Sequence, residues 1–354
     1  MAAAKVLTWA AWSQVHQTIP VVGKPPNTKR LGERWHLFKV HDDFLPKIAL
    51  SLAEHCFDKT AIPVRVFVNS YWVDVYPRAR WGPSFIEKAE LGDLLADVRV
   101  KYQGKPAFRK AVLLQGKWSK AWNELDSGSC NPGADDATNR ERDLLEGNTG
   151  LVMLELPSSP LINGSASNPV FDLAKDKYTN RLMGHSKYFL FLDAPSAPTT
   201  PGIEPYVCLV PTNRLSQAGA VERYEDMLCD LCLPPNYGQT TVVPNMETTP
   251  EWRGLVNRIG AWATAKPDSS RFGGLPYQRV EGAFCRMEMV DYTSPSNYIS
   301  RGNRGARYYY RHPFRSRAEG INFEDVTPRL LDEWPGFIYL DIIVDFATPP
   351  RDMG

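Results

Sequence analysis

The chain has 354 residues, more than one ordinary domain and fewer than three, so one elaborated domain or two is expected. Hydrophobic residues make up 43% and charged residues 23%, the balance of a globular protein, with no internal repeat or low-complexity tract. The net charge of +1 excludes a global polyanion-binding surface, so any nucleic-acid contact has to come from a local patch.

The opening MAAAKVLTWAAW lacks a cationic start followed by a long apolar core, so no signal peptide is expected. No run of about 18 apolar residues exists, so no membrane-crossing helix is expected either. The six cysteines (Cys56, Cys130, Cys208, Cys229, Cys232 and Cys285) are scattered, which suggests reduced thiols and a cytoplasmic protein.

Residues 17–34 are rich in Pro, Gly, Lys and Thr and read as an extended arm. Asp42 and Asp43 suit the cap of a following helix, with Pro46 tolerated in its first turn and Leu45, Ile48, Leu52 and Cys56 as its apolar face. IPVRVFVNSYWVDVY, from Ile62 to Tyr76, reads as strand. RERDLLE at 140–146 reads as a short helix, and LVMLEL at 151–156 as a strand. KYFLFLDA at 187–194 and YVCLVP at 206–211 read as neighbouring strands. Helical patterns follow at VERYEDMLCDLCL and EWRGLVNRIGAWATA, then a loop-rich, arginine-rich region, then the buried-strand pattern PGFIYLDIIVDF.

The most informative stretch is EKAELGDLLADVRVKYQGKPAFRKAVLLQGKW, Glu87 to Trp118. It reads as the end of a short helix and then a hairpin. One strand opens at Asp93, the other runs from about Lys110 to Trp118, and KYQGKP forms the turn with Gly104 and Pro106 as punctuation. Folding symmetrically about Gly104 and Lys105 sets Asp93 near Lys117 and Leu95 near Gln115. Side chains alternate along a strand, so Asp93, Gln115 and Lys117 then share a face.

An Asp opening one strand and a (D/E/Q)-x-K triplet closing the next resembles the signature of the PD-(D/E)XK, or restriction-endonuclease-like, nucleases. ELGDLL…LLQGK is similar to the Q-x-K variants, closely over residues 90–117 and loosely over 43–210. The helix, strand and hairpin order is that of the family's core. The resemblance implies an α/β (α+β) fold, with a mixed central sheet flanked by helices in a core at 42–212. An N-terminal arm at 1–41 would precede it. An accessory helical and arginine-rich region at 213–354 would follow, its last strand a candidate to rejoin the core sheet.

The resemblance further implies a nuclease dependent on Mg²⁺ or Mn²⁺, acting on DNA more than RNA, and prokaryotic defence as a setting. Asp93 would be the principal metal ligand. Gln115 would add its side-chain oxygen or act through a bound water. Lys117 would sit by the scissile phosphate, and Glu90 would complete the set, with Glu87 and Glu54 as alternatives. Gln115 is a neutral amide and a weaker ligand than a carboxylate. It therefore leaves open an alternative: a catalytically inactive nuclease-fold subunit that binds nucleic acid or serves in assembly, with a partner protein or as a homo-oligomer.

RGNRGARYYYRHPFRSR, 301–317, interleaves Arg304, Arg307, Arg311 and Arg315 with Tyr309 and other aromatics. Arginines pair with phosphates and aromatic rings stack on unpaired bases, so this is the candidate nucleic-acid patch. The lone C-x-x-C of Cys229 and Cys232 lies in an amphipathic helical stretch with no second pair, which disfavours zinc. No H-E-x-x-H, G-x-x-x-x-G-K-[ST] or G-x-S-x-G motif is present.

Overall fold

The apolar run near the C-terminus, Phe337–Phe346, lies in the interior of a nine-stranded sheet, with eight of its ten residues buried. A strand buried on both faces is paired on both edges, and this one runs antiparallel to Val64–Val73 and parallel to Leu94–Tyr102. The computed structural model describes residues 21–22, 29–30, 32–41, 44–73, 77–119, 140–147, 150–156, 168–176, 182–192, 206–209, 221–234, 243–264, 283–303 and 337–349.

Within these residues the strands are β1 (Val21–Val22), β2 (Lys29–Arg30), β3 (Val64–Val73), β4 (Arg78–Trp81), β5 (Glu87–Glu90), β6 (Leu94–Tyr102), β7 (Lys105–Ser119), β8 (Leu151–Glu155), β9 (Val170–Asp172), β10 (Ser186–Leu192), β11 (Tyr206–Leu209), β12 (Val221–Arg223), β13 (Ala283–Ser294), β14 (Asn297–Asn303) and β15 (Phe337–Phe346). The helices are α1 (Gly32–His41), α2 (Leu45–Thr60), α3 (Tyr224–Leu231) and α4 (Pro250–Thr264). The main sheet has the order β12-β11-β10-β7-β6-β15-β3-β13-β14, and a smaller sheet has the order β5-β4-β8-β9. The fold is mixed α/β of the α+β kind, a mixed central sheet flanked by helices.

The sheet takes strands from both sides of residue 212: β12 to β15 lie beyond it in sequence. On one face lie α2 and α3. The apolar positions Leu45, Ile48, Leu52 and Cys56 of α2 are buried, and Phe57 packs on Tyr292 of β13 at 5.5 Å between ring centroids. On the other face lies α4, where Asn257 accepts from Arg109 of β7 and Trp262 packs against Phe337 of β15. Gly260 of α4 is required there, since a Cβ would lie 2.7 Å from the Tyr339 hydroxyl.

Several local expectations change. Glu87–Glu90 is a strand rather than the end of a helix: it pairs with Arg78–Trp81, and Glu155 of β8 bridges the cross-strand neighbours Arg80 and Lys88. Sheet pairing overrides the weak local preference of EKAE. Val221–Arg223 is strand as well, with α3 starting at Tyr224. Part of the region read as loop-rich is the β13–β14 hairpin, with β13 running along β3. Phe44, not an aspartate, occupies the cap position of α2 and makes no side-chain cap; Asp42 and Asp43 lie outside the described residues. Among the described residues no helix is long and apolar enough to cross a membrane.

Candidate functional site

The β6–β7 hairpin turns at Gln103 and Gly104, where Tyr102 faces Lys105 and both turn residues have positive φ (53° and 77°). A bulge follows at once: Val100 pairs with Phe108 but Lys101 pairs with Pro106, so Ala107 is the extra residue. Pro106 cannot donate to a ladder, and β10 borders β7 only from Leu113 onward, so the proline sits where no outer neighbour is paired. The turn and bulge set the register of the whole hairpin. Leu94 faces Leu114 and Leu95 faces Leu113, which sets Asp93 against Gln115. The expected pairs, Asp93 with Lys117 and Leu95 with Gln115, are therefore each displaced by two residues, because the fold is not symmetric about Gly104 and Lys105. A two-residue displacement preserves the face.

Asp93 and Gln115 meet directly. The Gln115 amide donates to Asp93 Oδ2 at 2.7 Å, and the Gly116 N–H donates to the same oxygen at 2.6 Å. Both side chains are buried, each 3% exposed. The Asp93 backbone is fixed from both sides: its N–H donates to Leu114 O and its carbonyl accepts from Ile338 N, each at 2.9 Å. Gly92 lets the chain pass beneath β7, since a Cβ there would meet Leu113 Cδ1 at 2.9 Å. Because its amide is turned to Asp93, Gln115 presents Oε1 elsewhere, and that buried oxygen has no hydrogen-bond partner among the described residues.

The other candidates are placed as follows. Lys117 pairs through its backbone with Leu190 of β10, two positions along β7 from Gln115. Glu90 ends β5 opposite Arg78, half-buried, three residues before Asp93 but in the smaller sheet. Glu87 is exposed opposite Trp81. Glu54 lies within electrostatic reach of Tyr292. Tyr292 shares a row with Val64, Phe346 and Tyr102, at the far end of β6 from Asp93, about 30 Å away along the strand. Burial raises the Glu54 carboxyl above its ordinary value. Arg304, Arg307, Tyr309, Arg311 and Arg315 lie outside the described residues.

A hard divalent cation takes carboxylate and amide oxygens. Asp93 and Gln115 supply oxygens of that chemical kind, with Gln115 Oε1 turned away from the Asp93 carboxylate. Among the described residues no cluster of three or more His, Cys, Asp and Glu could hold a metal.

A second polar group, absent from the sequence reading, occupies the same face in the middle of the sheet. Asp97, fully buried, takes the Arg109 fork at 2.7 and 2.6 Å and the Tyr339 hydroxyl at 2.7 Å. Asp341 accepts from Arg99 and, at 3.3 Å, from Asn69. Burial pushes the Asp341 carboxyl up against the opposing pull of Arg99, and burial followed by the charge of Asp97 pushes the Tyr339 phenol up. Each acid here is matched by an arginine, the pattern of a satisfied interior network. The alternation D-L-L-A-D-V-R is the signal available for Asp97 and Arg99, since it puts both on the Asp93 face. The partnership with Tyr339 and Asp341 depends on β15 lying beside β6, which no local pattern encodes.

Near the start of β10, His185 stacks on Trp252 of α4, with centroids 4.5 Å apart and an interplanar angle of 13°. Asp176 receives the Glu251 and Trp252 amides at 3.0 Å, closing the first turn of α4. Burial pulls His185 down to about 3.

No family model, curated protein or solved structure matches the chain.

Proposed function

We propose that the protein is a divalent-metal-dependent nuclease of the PD-(D/E)XK kind that hydrolyses phosphodiester bonds, in DNA more than in RNA. The observation that supports this most is the Asp93–Gln115 pair at 2.7 Å at one end of an antiparallel hairpin, with Gln115 Oε1 left without a partner among the described residues. Asp93 and Gln115 would hold Mg²⁺ or Mn²⁺, with Glu90 as the nearest further carboxylate in sequence. The ion, when bound, supplies Lewis-acid charge at the phosphate. Lys117 then acts on its own account, its ammonium stabilising charge on the phosphate in the transition state. The Gly116 N–H fixes one Asp93 oxygen, so the carboxylate is oriented before any substrate arrives. A cytoplasmic defence or restriction effector is the setting this reading suggests.

A second reading keeps the architecture without the chemistry, as a nucleic-acid-binding or assembly subunit. Two facts favour it: Asp93 is buried, and an amide rather than a second carboxylate stands beside it. A supercoiled-plasmid nicking assay separates the two. The nuclease converts supercoiled to open-circular plasmid in Mg²⁺ or Mn²⁺ and stops in EDTA. Plasmid retarded on a gel but left supercoiled in either metal supports the second reading.

A further inference from the structure

The main sheet ends at β14, Asn297–Asn303, which pairs with β13 on one side and, among the described residues, with no strand on the other. It is the longest edge strand, with seven residues; the others, β1, β2, β5, β9 and β12, have two to four. Residues 297–302 are exposed throughout, Tyr298 at 45% and Ile299 at 50%. An open edge is a row of backbone donors and acceptors that templates another strand, and proteins blunt it with lysine, proline, a bulge or brevity. NYISRGN carries none of these, only the charge of Arg301, and from Tyr298 to Asn303 it runs in unbroken register along β13.

We propose that β14 is a homodimer interface: it pairs antiparallel with β14 of a second copy and joins the two main sheets into one. The strand overlaps its own full length in one register, with Ser300 facing Ser300 on a twofold axis perpendicular to the sheet. Asn297 then faces Asn303 of the second copy, Tyr298 faces Gly302 and Ile299 faces Arg301. A slip of two residues one way leaves only residues 299–303 facing one another and sets Arg301 against Arg301, and directly opposed like charges destabilise a strand pair. A slip the other way leaves only residues 297–301.

The side chains suit the full-length register. Arg301 lies against the apolar Ile299 of the second copy, and the next residue in that row is an acid, Asp291, which faces Ile299 from β13. Tyr298 comes to Gly302, the position of β14 that has no side chain. A Cβ there would run into the Glu288 carboxylate, so Glu288, buried on β13, reaches across to the edge where the ring arrives. The rim of an aromatic ring is its positive part and suits a carboxylate neighbour. The Tyr298 ring is already positioned by its own chain, stacked on Tyr292 with centroids 5.7 Å apart and an interplanar angle of 18°, so pairing costs it little freedom.

The test measures the mass of the full chain by sedimentation velocity and cross-links it at the axis. The wild type should sediment with twice the mass of the chain. Ile299→Lys sets a lysine against Arg301 of the second copy, twice in each dimer, and should give a monomer with an unchanged circular dichroism spectrum. Ile299→Lys with Arg301→Glu makes the same pairs opposite in charge and should restore the dimer, a rescue that depends on position 299 facing position 301. Ser300→Cys faces its own copy at about 4.5–5.5 Å between Cα atoms, so oxidised glutathione should link the two copies through this position. Mass spectrometry without reduction then finds the peptide joined to itself, while Asn297→Cys, far from its own copy, gives no such link. Where Ile299→Lys folds poorly, the wild-type mass and the Ser300 link still decide. A monomeric wild type, a dimer that Ile299→Lys leaves intact, a folded double variant that stays monomeric, or Ser300→Cys without the self-linked peptide each overturns the proposal.

Discussion

At the scale of single residues, Asp93 has two duties that mutation can separate. Its Oδ2 satisfies two buried donors, Gln115 Nε2 and Gly116 N. Asp93→Ala orphans both, and each unsatisfied buried donor costs about 1–3 kcal/mol, so the variant should melt several degrees lower. Asp93→Asn retains an oxygen acceptor and should melt closer to wild type. If the site is catalytic, both lose plasmid nicking. Lys117→Ala should lose nicking too while keeping the Mn²⁺ titration signal, because an ammonium is no ligand; wild-type nicking by Lys117→Ala would remove the nuclease assignment. His185 carries a separate prediction. Its pKa is about 3 folded against an ordinary 6.5 unfolded, so the unfolded state binds the proton more readily. Its contribution is complete above pH 6.5 and is lost as pH falls towards 3, with the Asp176 carboxylate 3.8 Å from Nε2 opposing part of that loss. His185→Phe keeps a ring against Trp252 and should flatten the acid-side fall in stability, followed by circular dichroism across that window.

At the scale of the element, the hairpin shows what local pattern carries and what it omits. Alternation along DLLADVRV and AVLLQ told which residues share a face, and Asp93 does meet Gln115. The partner across the ladder was wrong by two residues because the bulge at Ala107 and the turn at Gln103–Gly104 are decided by backbone twist, to which hydrophobic periodicity is blind. Glu87–Glu90 was misread for a related reason: its strand state comes from β4 and Glu155, not from its own residues. The β13–β14 hairpin was more legible than the reading allowed, since AFCRMEMVDY precedes the turn SPSN. The turn itself yields a prediction. Gln103 sits at φ 53° and Gly104 at φ 77°, the sign pattern of a type I′ turn, which favours Asn before Gly. The Gln103 N–H still donates to Phe346 O and the Gly104 N–H to Asp345 Oδ1, so exchanging the side chain leaves both bonds in place. Gln103→Asn should therefore raise stability by about 0.5–1 kcal/mol, read as a higher urea midpoint with unchanged slope. Gly104→Ala meets no atom within 4 Å but must hold positive φ, and should lower the midpoint.

At the scale of the whole molecule, the order of the sheet is the feature least legible in the chain. PGFIYLDIIVDF announces a buried strand, but not that it inserts between β3 and β6, which precede it by more than two hundred residues. Its insertion bears on the candidate site directly: the Ile338 N–H binds the Asp93 carbonyl, and Tyr339 and Asp341 complete the neighbouring polar network. The closing strand thus holds in place the start of the strand that carries Asp93. Phe337, Ile338, Leu340, Ile342, Val344 and Phe346 are all fully buried. At about 2 kcal/mol for each buried apolar side chain their sum is about 12 kcal/mol, comparable with the whole net stability of a typical domain. Deleting everything from Phe337 onward would also leave β3 and β6 with unpaired inner edges, exposing backbone donors and acceptors that the sheet now satisfies. The truncated chain should show no cooperative thermal transition, rapid proteolysis and a strong tendency to aggregate. A shorter deletion from Pro350 removes only residues beyond the strand and should melt as the full chain does. Cooperative melting of the Phe337 truncation near the full-length Tm would show that β15 is an addition to a self-sufficient sheet and not its centre.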